Sequence, residues 1–409
     1  MSPKGPSQSP LVLDRFALER RRFLSEGTAY GVGGLGILAG LGLSHYARAQ
    51  TVAPGASAGN AASAGAPPAG GPTTAGPPGG AAGGPPGRPP LPPEPAVSQP
   101  APLNKLKGKV AYITASSDGI GLGIARAASN AGMKVCIGYR NEERLKAALP
   151  LFKQKNAGIL PVMHDVTDRD GWAKALEKIK SEYGRLHLLV NNAGSKTAAR
   201  ISTASEKDWD NAVAVNFTST YNAVAACLPH MLEHGEGSQI VVTSSMSGLL
   251  PGGPLGVYTA TKIAVVGLIE ALRVELETTT VGTSAFVPGG VNTDNYPSGE
   301  ENPYRAAHTP PGMAARFKAF SAAGMDPLEA GERVLNGVIH NDLFIVTHPE
   351  YMPGTKTRFD AMLASEPVED PPPPEARVKG EARVLHAGIY PREIVHRRQK
   401  RKSYRSVKI

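Results

Sequence analysis

Between Asn104 and about residue 350, short apolar runs alternate with longer stretches whose apolar residues recur at helical spacing. The runs are KVAYIT at Lys109–Thr114, KVCIG at Lys134–Gly138, Ile159–Met163, LHLLV before Asn191, SQIVVTS at Ser238–Ser244, TSAFV before Pro288, and LFIVT at Leu343–Thr347. Each is strand-length, rich in β-branched residues and closed by turn formers, as expected of strands buried on both faces. Helical patterns fall between them, at Arg169–Glu182, Glu206–Glu233 and the AVVGLIEALRVELE stretch after Lys262. Asp326-Pro327-Leu328-Glu329 supplies a cap, a proline in the first turn and an acidic N3 residue, which predicts a helix to about His340. Strand–helix alternation of this kind predicts an α/β fold, a doubly wound parallel sheet with its chemistry at the carboxyl ends of the strands.

The flanks read differently. Residues 51–103 are almost entirely Ala, Gly, Pro, Ser and Thr, too poor in large apolar groups to offset chain entropy, and predict a disordered linker. Residues 1–50 read as an export leader: Arg20-Arg21-Arg22-Phe23-Leu24 fits the twin-arginine pattern, a Gly-rich apolar run spans Ala29–Leu43, and Ala47-Arg48-Ala49 offers a small-x-small cleavage site. An uncleaved anchor and a cytosolic basic terminus are the alternatives. Residues 351–409 form a C-terminal extension with a helix-like TRFDAML, a Pro/Glu run at Glu366–Glu375 and a basic end.

The formal net charge of +9 is carried by the two ends; residues 392–409 alone hold eight Lys or Arg against one Glu. A body close to neutral argues against nucleic acid as its partner, and the tail RRQKRKSYRSVK, Arg397–Lys408, reads as a solvated end, with contact to an anionic surface the lesser alternative. Cys136 and Cys227, one on a strand and one on a helix, make no disulfide framework, and no His/Cys/Glu spacing points to a metal.

The informative chemistry lies in SMSGLLPGGPLGVYTATK, from Ser245 to Lys262. Ser245 ends a strand and Tyr258 opens a helix, with Lys262 four residues on and so on the same helical face. A free phenol ionises near pH 10, and a neighbouring ammonium favours its phenolate, so Tyr258 with Lys262 can exchange a proton near neutrality while Ser245 holds a substrate oxygen. Tyr-x-x-x-Lys alone is a weak signal. Here it accompanies a Gly-rich turn at Thr114–Gly121, NNAG at Asn191–Gly194 and PGGVNT at Pro288–Thr293, each following a strand.

In that order and spacing, over roughly residues 104–350, these motifs resemble the short-chain dehydrogenase/reductase family. The resemblance implies a single Rossmann-type domain that transfers hydride between a nicotinamide dinucleotide and a carbonyl or secondary alcohol. By it, Tyr258 gives or takes the hydroxyl proton, Ser245 orients the oxygen, Lys262 lowers the phenol pKa and binds nicotinamide ribose, and Asn216 completes a proton relay. The turn Thr114, Ser116, Ser117, Gly119, Ile120 and Gly121 would face the pyrophosphate. Ala115 departs from the family's glycine, a change tolerable with a negative φ. Asp165 and Val166 would lie near adenine, Asn192, Ala193 and Gly194 would let the backbone approach the cofactor, and Pro288, Gly289, Val291 and Thr293 would lie under the nicotinamide.

Tyr139 and Arg140 stand where NAD-preferring relatives carry an acid, so NADP is preferred over NAD, although Asp118 occupies a position where some NADP users carry a base. Asn295–Gly324 matches the family's substrate lid. Relatives are usually homodimers or homotetramers. A twin-arginine leader would carry the protein folded, with its cofactor, through the export machinery to the periplasm, where tight cofactor retention is expected. Two other readings stay open: a dehydratase or epimerase using the same cofactor site, and a nucleotide-binding sensor or scaffold with a vestigial site.

Overall fold

The computed structural model describes residues 99–152, 158–197, 199–252, 255–293, 312–368, 371–385 and 388–400. The leader, nearly all of the linker, residues 294–311 of the lid segment and residues 401–409 lie outside the described residues.

In chain order the elements are β1 (Val110–Ile113), α1 (Gly119–Asn130), β2 (Lys134–Tyr139), α2 (Glu142–Ala148), β3 (Ile159–Met163), α3 (Arg169–Tyr183), β4 (Leu188–Asn191), α4 (Glu206–Val213) and α5 (Ser219–Glu233). There follow β5 (Ser238–Thr243), α6 (Gly256–Glu275), β6 (Val281–Val287), α7 (Met313–Ala322), α8 (Pro327–His340), β7 (Phe344–Val346), α9 (Met352–Leu363), α10 (Glu375–Leu385) and α11 (Ile389–Lys400). The seven strands form one parallel sheet in the order β3-β2-β1-β4-β5-β6-β7. Strand order reverses between β1 and β4, and such a switch point opens a crevice at the carboxyl ends of the strands.

Each strand feeds both faces of the sheet. Val110 and Tyr112 of β1 pack with Trp172, Ile179, Met231 and Ile269 on one side. Ala111 and Ile113 pack with Ile124, Val334 and Phe286 on the other. Burying each large side chain contributes about 1.5–3 kcal/mol, which is why these strands read as unbroken apolar runs. On the second face α1 and α8 pack backbone to backbone. A Cβ on Gly123 would lie 1.9 Å from the Pro327 carbonyl oxygen, and one on Gly331 2.4 Å from the Gly123 oxygen.

The packed body extends a few residues beyond the expected start and takes in part of the C-terminal extension. The linker was expected to run to residue 103, but Leu103 is buried, and the Gln99 side chain joins Arg273 and Asn341 in a hydrogen-bonded group. At the other end α11, which leads into the basic tail, docks on the body. Arg392 pairs with Glu277, Glu393 accepts from the Leu343 amide, Arg397 donates to the Phe344 carbonyl, and His396 lies 3.4 Å from the buried carboxylate of Asp342. The cations of α11 find tertiary partners that local sequence does not reveal. Among the described residues no helix is long and apolar enough to cross a membrane, and no cluster of His, Cys, Asp or Glu could hold a metal ion. Cys136 and Cys227 are free and buried, and burial pushes both thiols well up.

Candidate active site

The site gathers at the carboxyl ends of β1, β4, β5 and β6. β5 ends at Thr243, and Ser245 follows in extended backbone, its Oγ accepting from the Ser247 amide at 3.2 Å. The loop back to α6 packs closely: a Cβ on Gly248 would meet Ser244 Oγ at 2.4 Å and the Lys262 carbonyl oxygen at 2.7 Å. Ser244 Oγ donates to that same carbonyl at 2.8 Å, tying the strand end to the helix. The fold thus brings Ser245, Tyr258 and Lys262 together. The Ser245 hydroxyl stands near enough to Tyr258 to lower its pKa, and Lys262 Nζ lies 5.6 Å from the centre of the Tyr258 ring.

Lys262 is buried, and its Nζ donates to the Thr243 carbonyl at 2.8 Å. Burial pulls its pKa from 10.5 down to about 7, with Lys196 adding to the effect. Burial also raises Tyr258, against the smaller lowering effect of the Ser245 hydroxyl. This reverses the expected direction for the phenol. Desolvation of the anion in its buried setting is the larger cause, and the Lys262 charge that was expected to lower it is itself disfavoured by burial.

Asn216 sits in a single π-helical turn, Ala214–Thr218, inserted between α4 and α5. Its Oδ1 accepts from the Ser195 amide at 2.7 Å, and its Nδ2 donates to the Ser195 carbonyl at 2.9 Å and to Thr261 Oγ1 at 3.0 Å. The wide turn aims the amide inward, as π-turns at functional sites commonly do. A Cβ on Gly194 would lie 3.4 Å from Asn216 Oδ1 and 3.5 Å from Lys262 Nζ, so that glycine seats the strand end between the two.

The dinucleotide-type turn leaves β1. Thr114 Oγ1 accepts from the amides of Asn192 at 2.9 Å and Ala193 at 3.0 Å, fixing the end of β4 to that of β1. Ser116 turns inward: its hydroxyl donates to the Ile113 carbonyl and its amide to the Gly138 carbonyl. Gly119 has a φ of 51°, and a Cβ on Gly121 would lie 2.3 Å from the Ala115 carbonyl oxygen, so both glycines are required by the turn. Ala115 itself has a φ of 48°, not the negative value under which its methyl is cost-free. A left-handed alanine costs roughly 1–2 kcal/mol.

Asp118 is the N-cap of α1, yet its carboxylate makes no capping hydrogen bond and pairs with Arg144 instead. The first-turn amides therefore carry no side-chain cap, as an anion-binding helix start requires. Residues able to hold a dinucleotide are thus present: a helix start without a side-chain cap, glycines that keep the turn narrow, and, at the end of β4, a buried Lys beside Gly194. Ser117 and Ile120 are half-buried on this turn.

Residues expected around adenine hold one another. Arg140 Nη1 donates to Asp165 Oδ2 at 2.9 Å, and Asp165 Oδ1 accepts from the Thr167 amide and hydroxyl. Burial opposes ionisation of Asp165, but these donors prevail and lower its pKa. Tyr139 donates to Glu142 at 2.9 Å, while the Val166 carbonyl accepts from the buried indole of Trp172. On the far side, Pro288–Thr293 leaves β6. The Pro288 carbonyl accepts from the Met246 amide at 2.9 Å, Val291 bridges to Met325, and the Thr293 amide donates to Ser321 Oγ at 3.1 Å. Thr243, Ser195 and Thr261 join the site without having been singled out from sequence; two of them act through backbone atoms, which leave no residue-type signal.

The fold and this arrangement define a short-chain dehydrogenase, and the chain belongs to that family. The family model for short chain dehydrogenase matches residues 109–303. The chain is 34% identical over 190 residues to the 2,5-dichloro-2,5-cyclohexadiene-1,4-diol dehydrogenase of Sphingobium indicum, covering 46% of this chain and 76% of that one. It is 25% identical over 287 residues to a C alpha-dehydrogenase of Sphingobium sp., covering 68% of this chain and 93% of the relative. Among solved structures, a short chain dehydrogenase/reductase from Burkholderia phymatum in complex with NAD matches with a TM-score of 0.59 and 25% identity, over 65% of this chain and 99% of that one.

Proposed function

We propose that this protein is an NAD(P)-dependent oxidoreductase that interconverts a secondary alcohol and a carbonyl, with Tyr258 as the proton-transferring group. The observation that carries this reading is Tyr258 and Lys262 buried side by side, with Nζ 5.6 Å from the ring centre and Ser245 near the phenol. When bound, the nicotinamide supplies or accepts the hydride. The chain's own residues do the rest. Ser245 holds the substrate oxygen, Tyr258 protonates it or removes its proton, Lys262 supports the phenol and binds ribose hydroxyls, and Asn216 holds the backbone around Ser195 and Gly194 from which a proton relay would start. Both identified relatives are named as dehydrogenases, which supports a carbonyl or alcohol substrate.

For the cofactor, we favour NADP over NAD. Arg140 and Arg144 both stand beyond the end of β2, although each faces a carboxylate, Asp165 and Asp118, from which a 2′-phosphate would have to draw it. Assembly as a homodimer or homotetramer belongs to the same proposal, with exposed Tyr221, Leu232 and Val274 on α5 and α6 as apolar surface to cover. So does twin-arginine export to the periplasm through Arg20–Leu24, which cell fractionation with an Arg20/Arg21 double lysine variant would test. The deciding experiment mixes purified protein with NADPH or NADH and a panel of ketones, aldehydes and alcohols while following nicotinamide absorbance. Oxidation or reduction with at least one compound supports an oxidoreductase. Tight binding with no turnover across a broad panel supports a sensor, and product formation without net nicotinamide change supports a dehydratase or epimerase.

A further inference from the structure

Beyond the residues the family resemblance selects, His348 lies two residues after the end of β7 and reaches across to the turn at Pro288–Gly290. It is buried. Its Nδ1 accepts from the Gly289 amide at 3.0 Å, with the Thr347 hydroxyl 2.8 Å from the same nitrogen, and its Nε2 lies 2.9 Å from the Gly290 carbonyl oxygen. Because Nδ1 accepts, the ring proton must be on Nε2, and that N–H donates to Gly290. One imidazole thus clamps both an amide and a carbonyl of consecutive residues. The packing matches the bonding. A Cβ on Gly289 would lie 2.6 Å from His348 Cγ, and one on Gly290 would lie 2.9 Å from the Phe320 ring, so the turn is held between two rings that only glycines admit. The same turn gives its Pro288 carbonyl to the Met246 amide, next to Ser245, and continues into Val291 and Thr293.

We infer that His348 is a positioning residue: it fixes the Pro288–Gly290 turn, and through it the surface formed by Val291 and Thr293 against the nicotinamide half of the cofactor. The inference rests on the nicotinamide reading above and adds a residue that touches neither cofactor nor substrate. An ordinary core histidine would stabilise the fold evenly, whereas this one grips a segment that meets only one end of the dinucleotide. The effect of its loss should therefore be uneven along the ligand.

The test compares dissociation constants for NADH and NADPH with those for ADP-ribose and its 2′-phosphate, in wild type, His348→Leu, His348→Gln and His348→Asn. With both hydrogen bonds gone, His348→Leu should weaken the dinucleotides roughly tenfold while leaving the ADP-riboses within about twofold. Gln, which can restore a donor, and Asn, which can restore an acceptor, should fall between Leu and wild type. The retained ADP-ribose affinity reports that the variants are folded. Equal loss for both ligand types, or no loss for either, overturns the inference. A wild type that binds none of the four nucleotides sinks the nicotinamide reading itself, an outcome separate from any comparison among variants.

Discussion

Replacing Lys262 with Met should make the fold more stable while removing activity, because the ammonium is held where burial disfavours it. Its Nζ donates to the Thr243 carbonyl at 2.8 Å, and its pKa falls from 10.5 to about 7. At about 1.4 kcal/mol per pH unit, that gap costs the native state on the order of 4 kcal/mol at pH 7 relative to a chain whose Lys262 ionises alike folded and unfolded. Losing the hydrogen bond to Thr243 offsets about 1 kcal/mol of the relief. Lys262→Met should then raise the unfolding free energy at pH 7 by about 2–3 kcal/mol, a large fraction of a typical domain's stability. The pH dependence carries the sign. Between about 7 and 10.5 the unfolded chain binds the Lys262 proton and the native chain does not, so wild-type stability gains on the variant as pH rises through this window. Below pH 7 both states hold the proton and the gap is constant. Urea titrations of both proteins at pH 6, 7, 8.5 and 10, without added nucleotide, measure the difference directly and cancel other titrating groups. A variant less stable than wild type at pH 7, or a difference that does not narrow toward pH 10, would refute the reasoning.

Two further outcomes are expected. Ala115→Gly relieves a left-handed alanine with a φ of 48° and should stabilise the fold by about 1 kcal/mol in the same urea assay. Arg140→Ala should weaken NADPH binding about tenfold while leaving NADH nearly unchanged, read by nicotinamide fluorescence; equal effects on both would mean that the pair with Asp165 serves the fold alone.

Much of this could be read from the chain. Strands buried on both faces leave continuous apolar runs, and Ser245, Tyr258 and Lys262 stand on a strand end and one helical face whose geometry follows from spacing alone. What escaped the reading is set by tertiary context. The π-turn at Asn216 adds one residue within a helical pattern that still looks regular at a period of 3.6. The sign of φ at Ala115 is imposed by the sheet and the turn around it, against the preference of alanine. His348 lies 58 residues beyond Gly290 in a segment that looks like an ordinary loop. The docking of α11 depends on Glu277 and Asp342, which stand far from it in sequence. The direction of the Tyr258 shift also depends on depth of burial, which spacing does not report.

The most direct test of the central claim is single-turnover hydride transfer in Tyr258→Phe, using the carbonyl or alcohol that the wild type converts fastest. If Tyr258 moves the proton, the rate should fall at least ~100-fold while dinucleotide affinity stays within about threefold. A rate within a few-fold of wild type would contradict the assignment, whatever nucleotide the protein binds.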